Sequence, residues 1–176
     1  GDTLTNVDLR ALADHHRQTG ALVTIAVIPN DRPDRYGGLI LDSTGWFHSV
    51  VPRGSAVRSY HVVGVQIAHP SAFAQLPLNE PAESISGVYR TLVAKDLGAV
   101  RAFLCQAEFW DVGTPADYLD ASRSIGEGEG RPLPHIGRGA TIAPTARITG
   151  SVLWDDVEIG AGATLDRCIV ADGVRI

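Results

Sequence analysis

From Val7 the chain reads VDLRALADHHRQTG, in which Val7, Leu9, Leu12 and Ala13 are apolar among polar neighbours. That spacing predicts an amphipathic helix, with Asn6 as its cap, basic residues late and Gly20 as its stop. The pattern then changes period. LVTIAVI, residues 22–28, is apolar at nearly every position, as a strand buried on both faces of a parallel sheet would be. GLILDSTGWFHSVV reads as two extended arms around Ser43-Thr44-Gly45, a hairpin. YHVVGVQIA is a further strand interrupted by Gly64, SISGVYRTLVAKDLG is a helix ending near Gly98, and AVRAFLCQAEFW is one more strand ending at Trp110. Gly113 breaks that run, Thr114 stands as an N-cap and Pro115 at the first helical turn, so TPADYLDASR is a helix.

Beyond it, SIGEGEGRPLP is rich in glycine. Glu127 and Glu129 would repel a phosphate and no strand feeds the run, so it predicts a flexible linker over 125–135 rather than a nucleotide loop. After the linker the sequence repeats. IAPTARITGSVLWDDVE aligns with IGAGATLDRCIVADGVR at a period of 17, matching Ile142 with Ile159, Ile148 with Leu165, Val152 with Ile169 and Asp155 with Asp172. Aliphatic positions recur every six, six, then five residues, as a coil with three flat sides requires. IGRGAT at Ile136 adds part of an earlier coil. This is the hexapeptide signature of a β-helix, here expected to be left-handed and parallel. The expected architecture is therefore α/β, with an α/β domain at 1–124, a linker at 125–135 and hexapeptide coils at 136–176.

Composition narrows the function. The formal net charge is −5, the one lysine is Lys95, and no basic run occurs, which argues against a nucleic-acid partner. No segment reads as a signal peptide or a membrane span, so a cytoplasmic protein is expected. Cys105 and Cys168 lie in apolar runs on either side of the Gly-rich stretch and are expected as buried thiols. The histidines read structurally: His15 and His16 as partners of a helix dipole, His61 and His69 flanking a strand, His135 ahead of the first coil.

Asp111 is the acid whose placement suggests chemistry. It stands at the C-terminal tip of a predicted strand, just before a helix start, and in open α/β sheets ligands collect at that edge. Taken alone, the stretch favours an Asx-type residue that merely shapes the corner.

Together, GDTLTNVDL, HHRQTGALVTIAV, YGGLILDSTG, VVGVQI, WDVGTPADYL and SVLWDDVEIGAGATLDRCIVADGV resemble the sugar-1-phosphate nucleotidyltransferases, in their mannose-1-phosphate guanylyltransferase-like branch. The resemblance covers essentially the whole chain. It implies the C-terminal part of a Rossmann-like nucleotidyltransferase domain followed by the β-helix. It also implies condensation of a nucleoside triphosphate, GTP, with a sugar 1-phosphate, mannose 1-phosphate, releasing pyrophosphate with Mg²⁺. By the same resemblance Asp2 and Asp111 are the metal-binding and catalytic carboxylates, each at the C-terminal tip of a strand. Gly37 and Gly64 are sugar contacts, with a turn and a bulge as their purely structural alternatives. The family's Gly-rich loop with arginine lies upstream of the Gly-Asp pair, so the chain is expected to be a piece of a longer protein and inactive alone. The family's Glu-Lys-Pro is replaced by FHSVVPRGSAV, where Arg53 is the nearby cation able to take over phosphate binding. Homo-oligomers through the coils are expected.

Two other classes remain. A non-catalytic regulatory or assembly subunit binding an NDP-sugar would explain the lost Glu-Lys-Pro. An acyltransferase would want many coils and a histidine on a coil loop, and the sequence shows neither.

Overall fold

The computed structural model describes residues 2–77 and 79–176. It begins with a short strand, β1 (Thr3–Thr5), and a helix, α1 (Leu9–Thr19). The cap of α1 is Asp8, whose Oδ1 accepts from the Arg10 and Ala11 amides, both at 2.9 Å. Asn6, the expected cap, does something else: its side chain donates to Glu108 Oε2 at 3.0 Å and accepts the Glu108 amide at 2.7 Å. Two acceptors competed for one helix start, and the one nearer the first turn took it. The stop at Gly20 is as expected, with φ of 65° and its amide bonded to the His16 carbonyl.

Five strands form the main sheet, in the order β4-β3-β5-β2-β6. They are β2 (Val23–Pro29), β3 (Gly38–Leu41), β4 (Phe47–Val51), β5 (Tyr60–Ala68) and β6 (Val100–Leu104). The predicted hairpin is β3 and β4. Between them Asp42 Oδ1 accepts the Thr44 and Trp46 amides, at 2.8 and 3.0 Å, which closes the turn. β2 is buried from Val23 to Val27, as its unbroken apolar run foretold. Of its neighbours, β6 pairs parallel to it as expected, whereas β5 pairs antiparallel. A strand covered on both faces looks the same in sequence whatever the direction of its partners. The pairing of β2 with β5 slips between Ile25 and Val27, where Val63, Gly64 and Val65 of β5 stand against Ala26 alone. Gly64 takes φ of 82° there, so it sits in a bulge.

Leu12, Ala26 and Val63 pack between α1 and one face of the sheet. Val23, Ile25, Val27 and Phe47 pack on the other face beneath a covering segment. That segment starts with a wide π-type turn over Ser84–Tyr89, in which the Val88 amide reaches back to the Glu83 carbonyl, and continues as α2 (Arg90–Lys95).

The predicted strand running to Trp110 divides. β6 ends at Leu104, and a separate strand, β7 (Phe109–Asp111), pairs with β1 instead of joining the main sheet. α3 (Pro115–Gly128) then runs four residues into the expected linker. Gly126 is buried there, and a Cβ on it would lie 2.4 Å from both the Arg131 carbonyl oxygen and His135 Nε2. Its glycine serves close packing and not flexibility, which composition alone cannot distinguish.

The last stretch folds into stacked coils of chain. One side is β8 (His135–Ile136), β11 (Val152–Leu153) and β14 (Ile169–Val170). A second is β9 (Thr141–Ile142) with β12 (Glu158–Ile159), and a third is β10 (Arg147–Thr149) with β13 (Thr164–Asp166). All these pairs are parallel, and each joins residues 17 apart, such as Val152 with Ile169 and Glu158 with Thr141. Leu153, Val157, Ile159, Leu165 and Val170 fill the interior. Gly139, Asp156 and Gly173, again 17 apart, all take positive φ at one recurring corner. The Asp155 amide donates to Asp172 Oδ1 at 2.9 Å, stacking two equivalent acids.

Two compact units result. One holds residues 5–109; the other holds 2–4 and 110–176, so that α3 belongs with the coils and the division falls well before Ser124. No helix among the described residues is long and apolar enough to cross a membrane.

Candidate active site

Asp111 is the last residue of β7, at the strand tip where the sequence placed it. Asp2 immediately precedes β1. The β1–β7 ladder brings the two acids together: the Val112 amide donates to the Asp2 carbonyl at 2.8 Å. Gly113 lies close to both side chains. A Cβ at Gly113 would be 3.3 Å from Asp2 Oδ2 and 3.4 Å from Asp111 Oδ1, so these oxygens are under about 7 Å apart. All three residues belong to the second compact unit.

The start of α3 fixes the corner. Thr114 is the N-cap; its Oγ1 accepts the Asp117 amide at 3.1 Å and donates to Asp117 Oδ2 at 2.8 Å. Pro115 occupies the first turn, where its missing N–H costs nothing. Asp117 is therefore part of a reciprocal cap and not a solvent-facing acid. The chain leaves β7, turns through Gly113 and enters α3 within a few residues, which leaves Asp111 little room to reorient.

The other expected site residues lie in the first compact unit. Gly37 precedes β3 and is exposed; a Cβ there would meet the Val51 carbonyl oxygen at 2.8 Å and the Arg53 amide nitrogen at 3.6 Å. The chain thus brings Gly37 and Arg53 together at the base of the hairpin. Arg53 is exposed in a turn whose next residue, Gly54, donates to the Pro33 carbonyl. Gly64 is exposed in the β5 bulge, four residues beyond Tyr60, which pairs with Leu39 of β3.

Gly113 is the residue that sequence reasoning missed. It read as a strand breaker, and only the convergence of Asp2 with Asp111 gives it a second meaning. An aromatic cluster also went unread: the Tyr36 and His61 rings lie 4.3 Å apart, and Phe109 sets its edge against both. The histidine expectations hold in part. His69 caps the turn over Pro70–Phe73 and His135 Nε2 donates to the Arg131 carbonyl at 2.8 Å, both structural roles. His16 contacts the buried Thr24 hydroxyl at 2.8 Å; burial above all, then the charges of His69 and Arg17, holds its pKa below the usual 6.5. It is thus a neutral packing group rather than a charged dipole partner. Cys105 and Cys168 are free and half-buried.

No cluster of three or more His, Cys, Asp or Glu side chains able to hold a metal forms among the described residues. Two carboxylates converging on one point can hold a hard cation whose remaining ligands are water and phosphate oxygens.

Residues 1–128 match the family model described as nucleotidyl transferase. The chain is 26% identical over 189 residues to the mannose-1-phosphate guanylyltransferase of Mycobacterium tuberculosis, with all of this chain and 52% of the relative aligned. It is 27% identical over 192 residues to mannose-1-phosphate guanylyltransferase 1 of Arabidopsis thaliana, covering 99% of this chain and 52% of that one. The chain therefore spans about half the length of these relatives. The crystal structure of HddC from Yersinia pseudotuberculosis shares the fold, with a TM-score of 0.55 at 22% identity over 70% of this chain and 52% of the other.

Proposed function

The chain belongs to the nucleotidyl transferase family, and from that premise we propose that it serves to transfer the nucleotidyl group of GTP to mannose 1-phosphate, releasing pyrophosphate, with Asp2 and Asp111 as its metal-binding acids. One observation carries the reading: the two carboxylates, 109 residues apart in sequence, come together beside Gly113. The nucleotide and sugar are taken from the names of the Mycobacterium and Arabidopsis relatives.

Two carboxylates this close repel as anions, and a divalent cation between them turns that repulsion into binding. Mg²⁺ takes one or two carboxylates and completes its shell with water and phosphate oxygens, so the pair fits it without a third protein ligand. When bound, Mg²⁺ supplies charge neutralisation for the phosphates. The chain's own part is aim. The Val112–Asp2 bond holds one acid, the capped start of α3 holds the other, and Gly113 keeps the space between them clear. Arg53, exposed beside Gly37, takes the place of the family lysine as a planar fork for a phosphate. Gly37 and Gly64 present backbone to the sugar where a side chain would hold a pyranose away. In the same reading the coils are a left-handed parallel β-helix that joins copies of the protein, and the protein works in the cytoplasm.

Asp111→Asn tests this in the full natural protein. Pyrophosphate release from GTP and mannose 1-phosphate is expected to fall by about 10²–10³-fold. The urea midpoint should correspond to a stability change under about 1 kcal/mol, because asparagine serves the corner equally well. Near-wild-type Mg²⁺-dependent turnover in the variant overturns the assignment. Mn²⁺ broadening of the Val112 and Gly113 amides without turnover in the unmodified protein would place it instead among non-catalytic binding subunits.

A further inference from the structure

A cavity of about 410 Å³ lies entirely within the first compact unit, between α1, the β3–β4 turn and β6. His15 and Arg101 both line it. Each carries a buried side-chain nitrogen, His15 Nε2 and Arg101 Nε, that has no hydrogen-bond partner among the described residues. Buried donors are seldom left unpaired, and when they are, the group they would bond is the first thing to ask for. Arg101 also has no ion pair among the described residues.

The guanidinium is nevertheless held in place. Its carbon lies 4.8 Å from the centre of the Trp46 ring, and its outer face runs along Gly45, where a Cβ would come within 3.5 Å. The backbone around it is fixed as well, since Trp46 bridges to Arg101 and the Ala102 amide donates to the Gly45 carbonyl at 3.0 Å. His15 is positioned from the helix side, with its ring 5.4 Å from that of Phe103.

Among the described residues Asp42 is the one acid that lines the cavity, and its carboxylate is already committed. Oδ1 accepts the Thr44 amide, the Thr44 hydroxyl and the Trp46 amide at 2.8, 2.8 and 3.0 Å. Those bonds, with the Trp46 amide foremost, hold its pKa below the usual carboxylate value, and no ion pair joins it to Arg101 among the described residues.

We propose that this cavity binds an oxyanion, the carboxylate or phosphate group of a small ligand, between Arg101 and His15. A planar guanidinium fixed on an aromatic face, with no carboxylate bound to it among the described residues, matches that chemistry. A histidine beside it supplies the second donor. The proposal is independent of the Asp2 and Asp111 pair, which lies in the other compact unit.

The test is a titration of the ¹⁵N-labelled chain at constant ionic strength, following the Arg101 Nε–H and His15 ring resonances. Sodium phosphate and sodium acetate form the two arms and separate the two ligand chemistries, with sodium chloride as the screening control. A saturable shift in either arm, with a dissociation constant near or below about 1 mM, is expected and supports the site. Arg101→Gln should abolish the shift. His15→Gln, a helix substitution that leaves the Arg101–Trp46 stack alone, should weaken binding at least about tenfold and stands in if Arg101→Gln does not fold. Three outcomes overturn the site: no saturable shift in either arm, shifts that chloride reproduces, or shifts that both variants retain.

Discussion

A methyl group at Gly113 would crowd Asp2 Oδ2 at 3.3 Å and reach ordinary contact with Asp111 Oδ1 at 3.4 Å. Gly113 is exposed and its φ is not positive, so alanine fits the backbone, and the cost falls on the carboxylates. Gly113→Ala is therefore expected to lower turnover by about 10–100-fold through displaced acids, with folding stability within about 1 kcal/mol of the parent. Asp120→Asn is the matched control: its side chain is 73% exposed and pairs with Arg123 on the surface of α3, so turnover should not change. Asp111 was legible in the sequence because a strand end and a helix start flank it. Gly113 was not, because its role depends on Asp2 arriving from the far end of the fold. His16 adds a prediction about pH. Its folded pKa lies below 6.5, so between 6.5 and that lower value the unfolded chain holds a proton that the folded chain does not. Stability should thus fall as pH drops below about 6.5 and stop falling from this cause once below the folded pKa. In urea unfolding between pH 7.5 and 5, His16→Gln should lose less stability than the parent; equal losses would remove His16 as the cause.

α3 shows where reading by composition fails for a whole element. Its last turns contain Gly126 and Gly128 beside two glutamates, a composition that suits a linker as well as it suits a helix end. The structure separates the two glycines. A Cβ at Gly126 would strike the Arg131 carbonyl oxygen and His135 Nε2, whereas one at Gly128 would meet nothing within 4 Å. Gly126→Ala is therefore expected to destabilise by about 1–3 kcal/mol, since the neighbouring backbone must shift to admit the methyl. Gly128→Ala should stabilise by up to about 1 kcal/mol, because it removes only the conformational freedom of glycine in a helix. Thermal unfolding of the two single variants measures both signs, and a flexible linker would give no penalty at Gly126. The same limit explains α1, where Asn6 and Asp8 are both capable caps and only the tertiary bonds from Asn6 to Glu108 decide between them. The start of α3 was readable because Thr114 and Pro115 act on their own turn. Its end was not, because Gly126 is set by residues that fold back onto it.

At the scale of the whole chain, the 17-residue register was legible before any coordinates, since a stacked coil must repeat its inward positions at the length of one turn. The mixed sheet was not, because strand direction leaves no mark on a fully buried run. The coils also have a consequence beyond their own stability. α3 packs in the same compact unit as they do: the Trp154 indole donates to the Tyr118 hydroxyl at 3.3 Å, and Gly126 lies against His135. The corner that aims Asp111 is the other end of that helix, so loosening the coils should loosen the corner. Leu153 is 1% exposed in the coil interior, and Leu153→Ala is expected to cost about 2–5 kcal/mol. If the two compact units open separately, that cost stays local. Amide exchange should then quicken in β10 to β14, in α3 and at Val112, while β2 and β6 keep their protection. Mn²⁺ broadening at Gly113 should weaken in parallel, although Leu153 touches neither carboxylate. Uniform loss of protection across both units would show one cooperative body instead. Full protection of α3 in the variant would separate the acid pair from the coils and leave them no part in its aim.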